Sequence, residues 1–274
     1  MGPVDTGRRR RAALGREPCR RPFGAAGTAS FPTACRGPHR ARPAACPTAR
    51  RGAVPRGSTI RGVSDQHEKT VVARAAAALV EDGMTVALGS GSTVALLAAA
   101  LGERGSRARF AAASPATAAA ATSAGLSLVD DASTPRFDLA LDGADEVAPD
   151  GWAVKGGGGA HTRERILIAA ADRFVCIVGA GKLVDRLSWP VPLELQPFGL
   201  AGTLARLPGA TLRDAPPTAD GGVLADLDAA LGDPAALASR LDATPGVVDH
   251  GLFAPAVVRE LLIARGDDVE HRVR

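Results

Sequence analysis

The sequence predicts an α/β protein, with a Rossmann-like, doubly wound, mainly parallel sheet and a second, smaller α+β domain. Three observations carry that prediction. Short apolar or β-branched runs alternate with alanine-rich helical runs from residue 64 to about 190. Glycine turns close the strand-like runs at Gly89, Gly143 and Gly179. Beyond Trp189-Pro190 the alternation gives way to shorter mixed segments. Strands separated by helices pair in parallel, because each return to the sheet needs a crossover.

Ser64 and Asp65 are capping residues for a first helix running to about residue 81. Lys69 lies in its early turns, VVARAAAALV supplies its apolar face, and Asp82-Gly83 ends it. MTVALGSGSTVALLAAAL then reads as strand, glycine turn and helix. FAAAS is a second strand, 115–124 a helix, LSLVD a short strand, and FDLALDGADE a strand running into an acidic turn. Residues 162–171 read as helix, and FVCIVGAGK as strand and turn. PVPLELQPFG, LARLPGATLR, GGVLADLD and a helix near 234–241 make the smaller unit, and GVVDHGLFA with VVRELLIARG returns to the first layer. The expected division is 63–190 with 250–274 for the larger domain and 191–249 for the smaller.

Residues 1–62 stand apart. They carry 14 arginines and two acids, Asp5 and Glu17, among many prolines, alanines and glycines without apolar periodicity. Such a segment buries too little surface to offset its ordering entropy, so disorder is expected. A transit peptide fits the arginines, but the few serines and many prolines count against it. A nucleic-acid-binding arm is a second reading. The preferred expectation is sequence upstream of a true start near Val63. The remainder, 63–274, carries 19 Lys+Arg against 27 Asp+Glu, a net charge of −8. That acidic body has no basic stripe interleaved with aromatics, so no nucleic-acid partner is expected. No window reaches the ~18–20 apolar residues of a membrane helix. Cys19, Cys35 and Cys46 lie in the tail, Cys176 lies in the body, and no CxxC pair occurs. Neither a zinc site nor a disulfide framework is suggested, and a cytoplasmic setting is expected.

Two stretches carry chemistry. In GSGST, backbone N–H groups at a helix start join the hydroxyls of Ser90, Ser92 and Thr93 around Gly91, which suits a phosphate; a plain βα turn is the bland alternative. The absence of glycine at Val94 argues against a dinucleotide fingerprint, and the absence of GK[ST] excludes a P-loop. The second stretch is LDGADEVAPDGWAVKGGGGAHTRE. Asp142 and Asp145 fall at the carboxyl end of a strand, where ligands bind in doubly wound sheets. Four successive glycines, Gly156 to Gly159, cost backbone entropy and are kept where the chain needs positive φ or close approach. Glu164 falls in the first turn of the next helix, where a carboxylate also complements the helix dipole. Glu146 and Asp150 are expected to face solvent.

Taken in order, GSGSTV, DGADE, KGGGGAHTRE, VGAGK, WPVPLEL and TPGVVDHGLFA resemble the type A ribose-5-phosphate isomerase family over roughly residues 64–274. The resemblance implies an aldose–ketose isomerase acting on a sugar phosphate without metal or redox cofactor, in the cytoplasm, as a homodimer or homotetramer. It implies Glu164 as general base between C2 and C1, Lys155 as the cation beside the enediolate oxygen, and Asp142 in ring opening, supported by Asp145. Lys69, Ser90, Gly91, Ser92, Thr93 and Lys182 would hold the phosphate, and Gly156, Gly157 and Gly158 would bring backbone N–H groups to the substrate. A carboxylate base beside a lysine suits proton transfer next to a carbonyl. His161, in place of the hydrophobic residue usual in the family, reads as a local substitution on the helix or as a residue tuning Glu164, the first being preferred, and the Gly179-Ala180-Gly181 turn departs from the family's more polar pattern. Two rivals share the architecture. A non-catalytic sugar-phosphate sensor would not need Lys155 with Glu164, and an acyl-CoA transferase using Glu164 as nucleophile would be a longer chain.

Overall fold

The computed structural model describes Gly2 and residues 58–274 apart from 230, with side chains from residue 65 onward. The expectations for the arginine-rich tail therefore fall almost wholly outside the described residues. The elements, in chain order, are α1 (Ser58–Ala77), β1 (Thr85–Leu88), α2 (Ser92–Glu103), β2 (Arg109–Ala112), α3 (Pro115–Ser123), β3 (Ser127–Leu128) and β4 (Leu139–Asp142). They continue with β5 (Glu146–Val147), β6 (Ala153–Val154), α4 (His161–Ala169), β7 (Phe174–Gly179), β8 (Val191–Leu195), α5 (Leu200–Leu204) and β9 (Ala210–Leu212). The last are β10 (Val223–Leu227), α6 (Pro234–Asp242), β11 (Val247–His250), β12 (Leu252–Phe253), β13 (Glu260–Arg265) and β14 (Asp268–Val273).

Seven strands form the main sheet in the order β14-β13-β7-β4-β1-β2-β3. Every pairing is parallel except β13 with β14. Its central strands are buried on both faces, as a parallel sheet covered by helices requires. Leu139 and Leu141 of β4, with Val175 and Ile177 of β7, pack on the α1 and α2 side against Val72, Ala76, Leu97 and Leu101. The alternate residues, Ala140, Cys176 and Val178, face Leu167 and Ile168 of α4 and Phe253. The α/β class and the smaller second sheet are as the alternation predicts. That sheet, β11-β8-β10-β9, is antiparallel and packs its own core of Leu193, Leu195, Leu227, Leu237 and Leu241.

Some boundaries differ from the sequence reading. Helix α1 begins at Ser58, six residues before the expected cap, and the last proline upstream is Pro55. It closes at Ala77, earlier than expected. FDLALDGADE holds the expected strand and turn, but the strand is only Leu139–Asp142. β4 stops at Asp142, whose Oδ1 accepts from the Gly143 N–H at 2.8 Å, and the chain leaves the main sheet there. β5 and β6 belong to a separate three-stranded sheet with β12. The expectation for Glu146 is overturned: its side chain is buried on β5. Its carboxylate accepts from Ser188 N at 2.7 Å, Ser188 Oγ at 2.8 Å and Trp189 N at 3.0 Å, so it anchors the chain entering β8. Asp150 is exposed, as expected.

Candidate active site

The site is built where β1 and β4 end side by side. The Gly89 N–H donates to Leu141 O at 3.0 Å, which brings the GSGST turn over Asp142. A Cβ at position 89 would lie 1.8 Å from Asp142 Cγ, so only glycine fits there. Asp142 is 1% exposed. Its Oδ1 accepts from Ser90 N at 3.1 Å, and its Oδ2 lies 2.5 Å from Lys155 Nζ. Lys155 follows β6 and is tied by its own N–H to Gly251 O at 2.9 Å. Its ammonium also donates to Gly143 O and lies 3.0 Å from Glu164 Oε2. Glu164 enters from the first turn of α4 and is 5% exposed. That ionic contact is off hydrogen-bonding angle, and Glu164 Oε2 has no hydrogen-bond partner among the described residues.

The electrostatics follow from this burial. Burial pushes the Glu164 carboxyl up, the neighbouring Asp142 charge pushes the same way, and Lys155 opposes them; the result is a pKa of about 8. For Lys155, burial favours the neutral amine, but the Asp142 and Glu164 carboxylates outweigh it and hold the ammonium well above the ordinary lysine range. The triad is thus a lysine ammonium between two carboxyl groups, one of them, Glu164, with its pKa raised by burial.

Beside the triad opens a cavity of about 160 Å³ lined by Lys69, Ser90, Gly91, Ser92, Thr93, Asp145, Lys155, Gly156, Gly157, Gly158, Glu164 and Lys182, together with Gly143 and Ala144. The sequence singled out thirteen positions, and twelve of them line it; Asp142 lies beneath, against Lys155. Helix α2 starts at this wall behind Gly91, whose φ of 103° suits glycine, and no side chain caps its N-terminal N–H groups. Such a helix start attracts an anion. Two lysines flank it: Lys69, paired with Asp65 at 2.5 Å, and Lys182, 6.0 Å above the Trp189 ring. Asp145 does not touch the triad's lysine. It accepts from Gly157 N at 2.8 Å and so shapes the glycine loop. A wider cleft of about 510 Å³ runs along α4 past Ile166 and Val248. It holds none of the cavity's lysines, and two of its acids, Glu194 and Asp220, are occupied by Thr162 and Arg163.

His161, at the start of α4, lies in the interior. It is fully buried, and neither ring nitrogen has a hydrogen-bond partner of good geometry among the described residues. Burial pushes its pKa down to about 3, the Asp249 backbone offsetting this only in part, so the ring is neutral. A Cβ on Gly156, whose φ is 104°, would come within 2.6 Å of its Nδ1, so the ring is the floor on which the glycine loop rests. Gly251 and Arg165 are further positions the sequence reading missed. Their importance lies in close approach across the fold, which no local pattern signals.

Comparison with known proteins identifies the family. The family described as Ribose 5-phosphate isomerase A (phosphoriboisomerase A) matches residues 109–268. The DeoR C terminal sensor domain matches residues 64–125, a stretch that holds the GSGST turn but neither Lys155 nor Glu164. The ribose-5-phosphate isomerase A of Thermomicrobium roseum is 45% identical over 205 residues, covering 69% of this chain and 86% of that protein. The protein of the same name from Methanosarcina acetivorans is 39% identical over 220 residues, covering 74% and 93%. Among solved structures, ribose 5-phosphate isomerase A from Methanocaldococcus jannaschii superposes with a TM-score of 0.72 at 30% identity, over 77% of this chain and all of that one. By sequence over most of its length and by fold, the chain belongs to the ribose 5-phosphate isomerase A family.

Proposed function

We propose that this chain interconverts D-ribose 5-phosphate and D-ribulose 5-phosphate, with Glu164 as the base. In the open-chain aldose, Glu164 removes the proton on C2, and the electron pair moves through C1 to the aldehyde oxygen. The negative oxygen of the resulting enediolate is met by the Lys155 ammonium and by N–H groups of the 156–158 loop. Glu164 returns the proton to C1, and the hydroxyl proton passes from O2 to O1, leaving the 2-ketose. Asp142 assists ring opening and that hydroxyl transfer, and Asp145 holds the loop. Lys69, Ser90, Gly91, Ser92, Thr93 and Lys182 bind the phosphate, which supplies remote binding energy to position C1 and C2.

The observation that carries this reading is the buried Glu164, its Oε2 3.0 Å from the Lys155 ammonium and without a hydrogen bond among the described residues. The test is a ribulose 5-phosphate assay on wild type, Glu164→Gln and Lys155→Ala. The expected result is a loss of several orders of magnitude with phosphate binding retained; full activity in Glu164→Gln would end the mechanism. The sensor reading has one observation in its favour, the DeoR-type match over 64–125. It predicts ligand binding without turnover, which the same assay separates. Within this reading the protein is cytoplasmic, works as a homodimer or homotetramer, and divides into a catalytic domain of 63–190 with 250–274 and a small domain of 191–249. Among the described residues, no helix is long and apolar enough to cross a membrane.

A further inference from the structure

We propose that Arg165 is a positioning residue that locks the helix carrying Glu164 to the segment holding Lys155, and so fixes the spacing of base and ammonium. The proposal rests on the reading of Glu164 and Lys155 given above. Arg165 follows Glu164 on α4, and its side chain crosses to the 249–253 segment. Its Nε lies 2.9 Å from both carboxylate oxygens of Asp249. Its Nη2 donates to His250 O at 2.6 Å and to Leu252 O at 2.9 Å. Its Cζ sits 4.1 Å from the centroid of the Phe253 ring. One guanidinium therefore holds a carboxylate, two carbonyls and an aromatic face, which the rigid fork of arginine allows and an ammonium does not.

The same segment holds Lys155. Gly251 O accepts from Lys155 N, and Leu252 pairs with Val154 in the three-stranded sheet. A Cβ at position 251 would fall 2.1 Å from Lys155 O, so glycine permits the approach. The Phe253 ring that carries the guanidinium also lies 5.5 Å from Lys155 Nζ. The connection thus runs from Glu164 through its neighbour Arg165 to 249–253 and back to Lys155. The candidate phosphate-binding groups at 69, 90–93 and 182 stand on other elements. Loosening the clasp should therefore move the base relative to the ammonium without moving the phosphate. A displacement of about 1 Å at reacting groups can cost ~100-fold in rate.

The experiment compares kcat, KM and Tm for Arg165→Met, Arg165→Lys, Asp249→Asn and the Arg165→Met/Asp249→Asn double variant, with Glu164→Gln alongside. The methionine keeps an apolar stem over Phe253 but no donors. It should lower kcat about 10- to 100-fold with KM within about twofold. Lysine should restore part of that loss. Asp249→Asn should lower kcat less, and the double variant should be no worse than Arg165→Met, because both remove one connected unit. Wild-type kcat in a folded Arg165→Met with lowered Tm, a KM rising in step with the kcat loss, or additive losses in the double variant would each overturn the proposal. If Arg165→Met does not fold, Asp249→Asn decides: lowered kcat at unchanged KM supports the clasp, and unchanged kcat overturns it. Full activity in Glu164→Gln would instead remove the base assignment beneath it.

Discussion

Replacing Asp142 by asparagine should move the pH profile of turnover toward acid, by an amount the geometry sets. Asp142 Oδ2 and Glu164 Oε2 stand 2.5 and 3.0 Å from the same Lys155 Nζ, so the two carboxylate oxygens are within about 5.5 Å of each other. At that upper limit and an effective dielectric constant of ~20, two negative charges repel by about 3 kcal/mol, and by more at any shorter distance. That energy corresponds to roughly 2 pKa units. Glu164, pushed up to about 8 in the native site, should then titrate clearly lower in Asp142→Asn, because one of the two causes of its raised pKa is gone. Burial remains and keeps it above an ordinary glutamate. The base works only when deprotonated, so the acid limb of kcat/KM should have its midpoint near 8 in wild type and shift down in the variant. Turnover itself should fall, since the asparagine oxygen cannot serve both Lys155 and the Ser90 and Gly143 N–H groups. The assay is kcat/KM for ribulose 5-phosphate between about pH 4.5 and 9.5, both proteins in the same buffers so that titration of the substrate phosphate cancels. An acid limb that stays in place, or moves to higher pH, would refute the electrostatic argument.

Glu164→Gln should raise stability above neutral pH. The folded pKa of about 8 exceeds the ordinary value of ~4.3, so wild type loses stability as pH rises between the two, while glutamine does not titrate. The gain in Tm should be negligible near pH 4 and fully developed above pH 8; a lower Tm than wild type at pH 9 would contradict it. Gly89→Ala should cost both stability, about 1–3 kcal/mol, and most activity, because its Cβ collides with Asp142. Gly158→Ala, whose Cβ meets nothing within 4 Å, should leave thermal unfolding unchanged. Glu146→Ala should lower stability by about 1–3 kcal/mol, seen by urea unfolding, since it orphans the Ser188 and Trp189 N–H groups. A surface residue, as the sequence suggested, would show no such loss.

The sequence by itself determined the alternation of strands and helices, the glycine turn before α2 and the order DGADE, KGGGG, TRE. These are local signals: a glycine run, a capping position and an apolar period can be read one segment at a time. What only the tertiary structure decided is how they converge. Asp142 ends a strand of the main sheet, Lys155 follows a strand of a three-stranded sheet, and Glu164 opens a helix, yet one ammonium touches both carboxylates. The same local reading placed Glu146 in solvent, yet it is buried, and it gave no sign that His161 is buried as well. Burial depends on what the rest of the chain brings to a residue, not on its neighbours in sequence. The raised pKa of Glu164, the neutral ring under Gly156 and the reach of Arg165 to 249–253 all depend on such distant partners, and so belong to the folded structure alone.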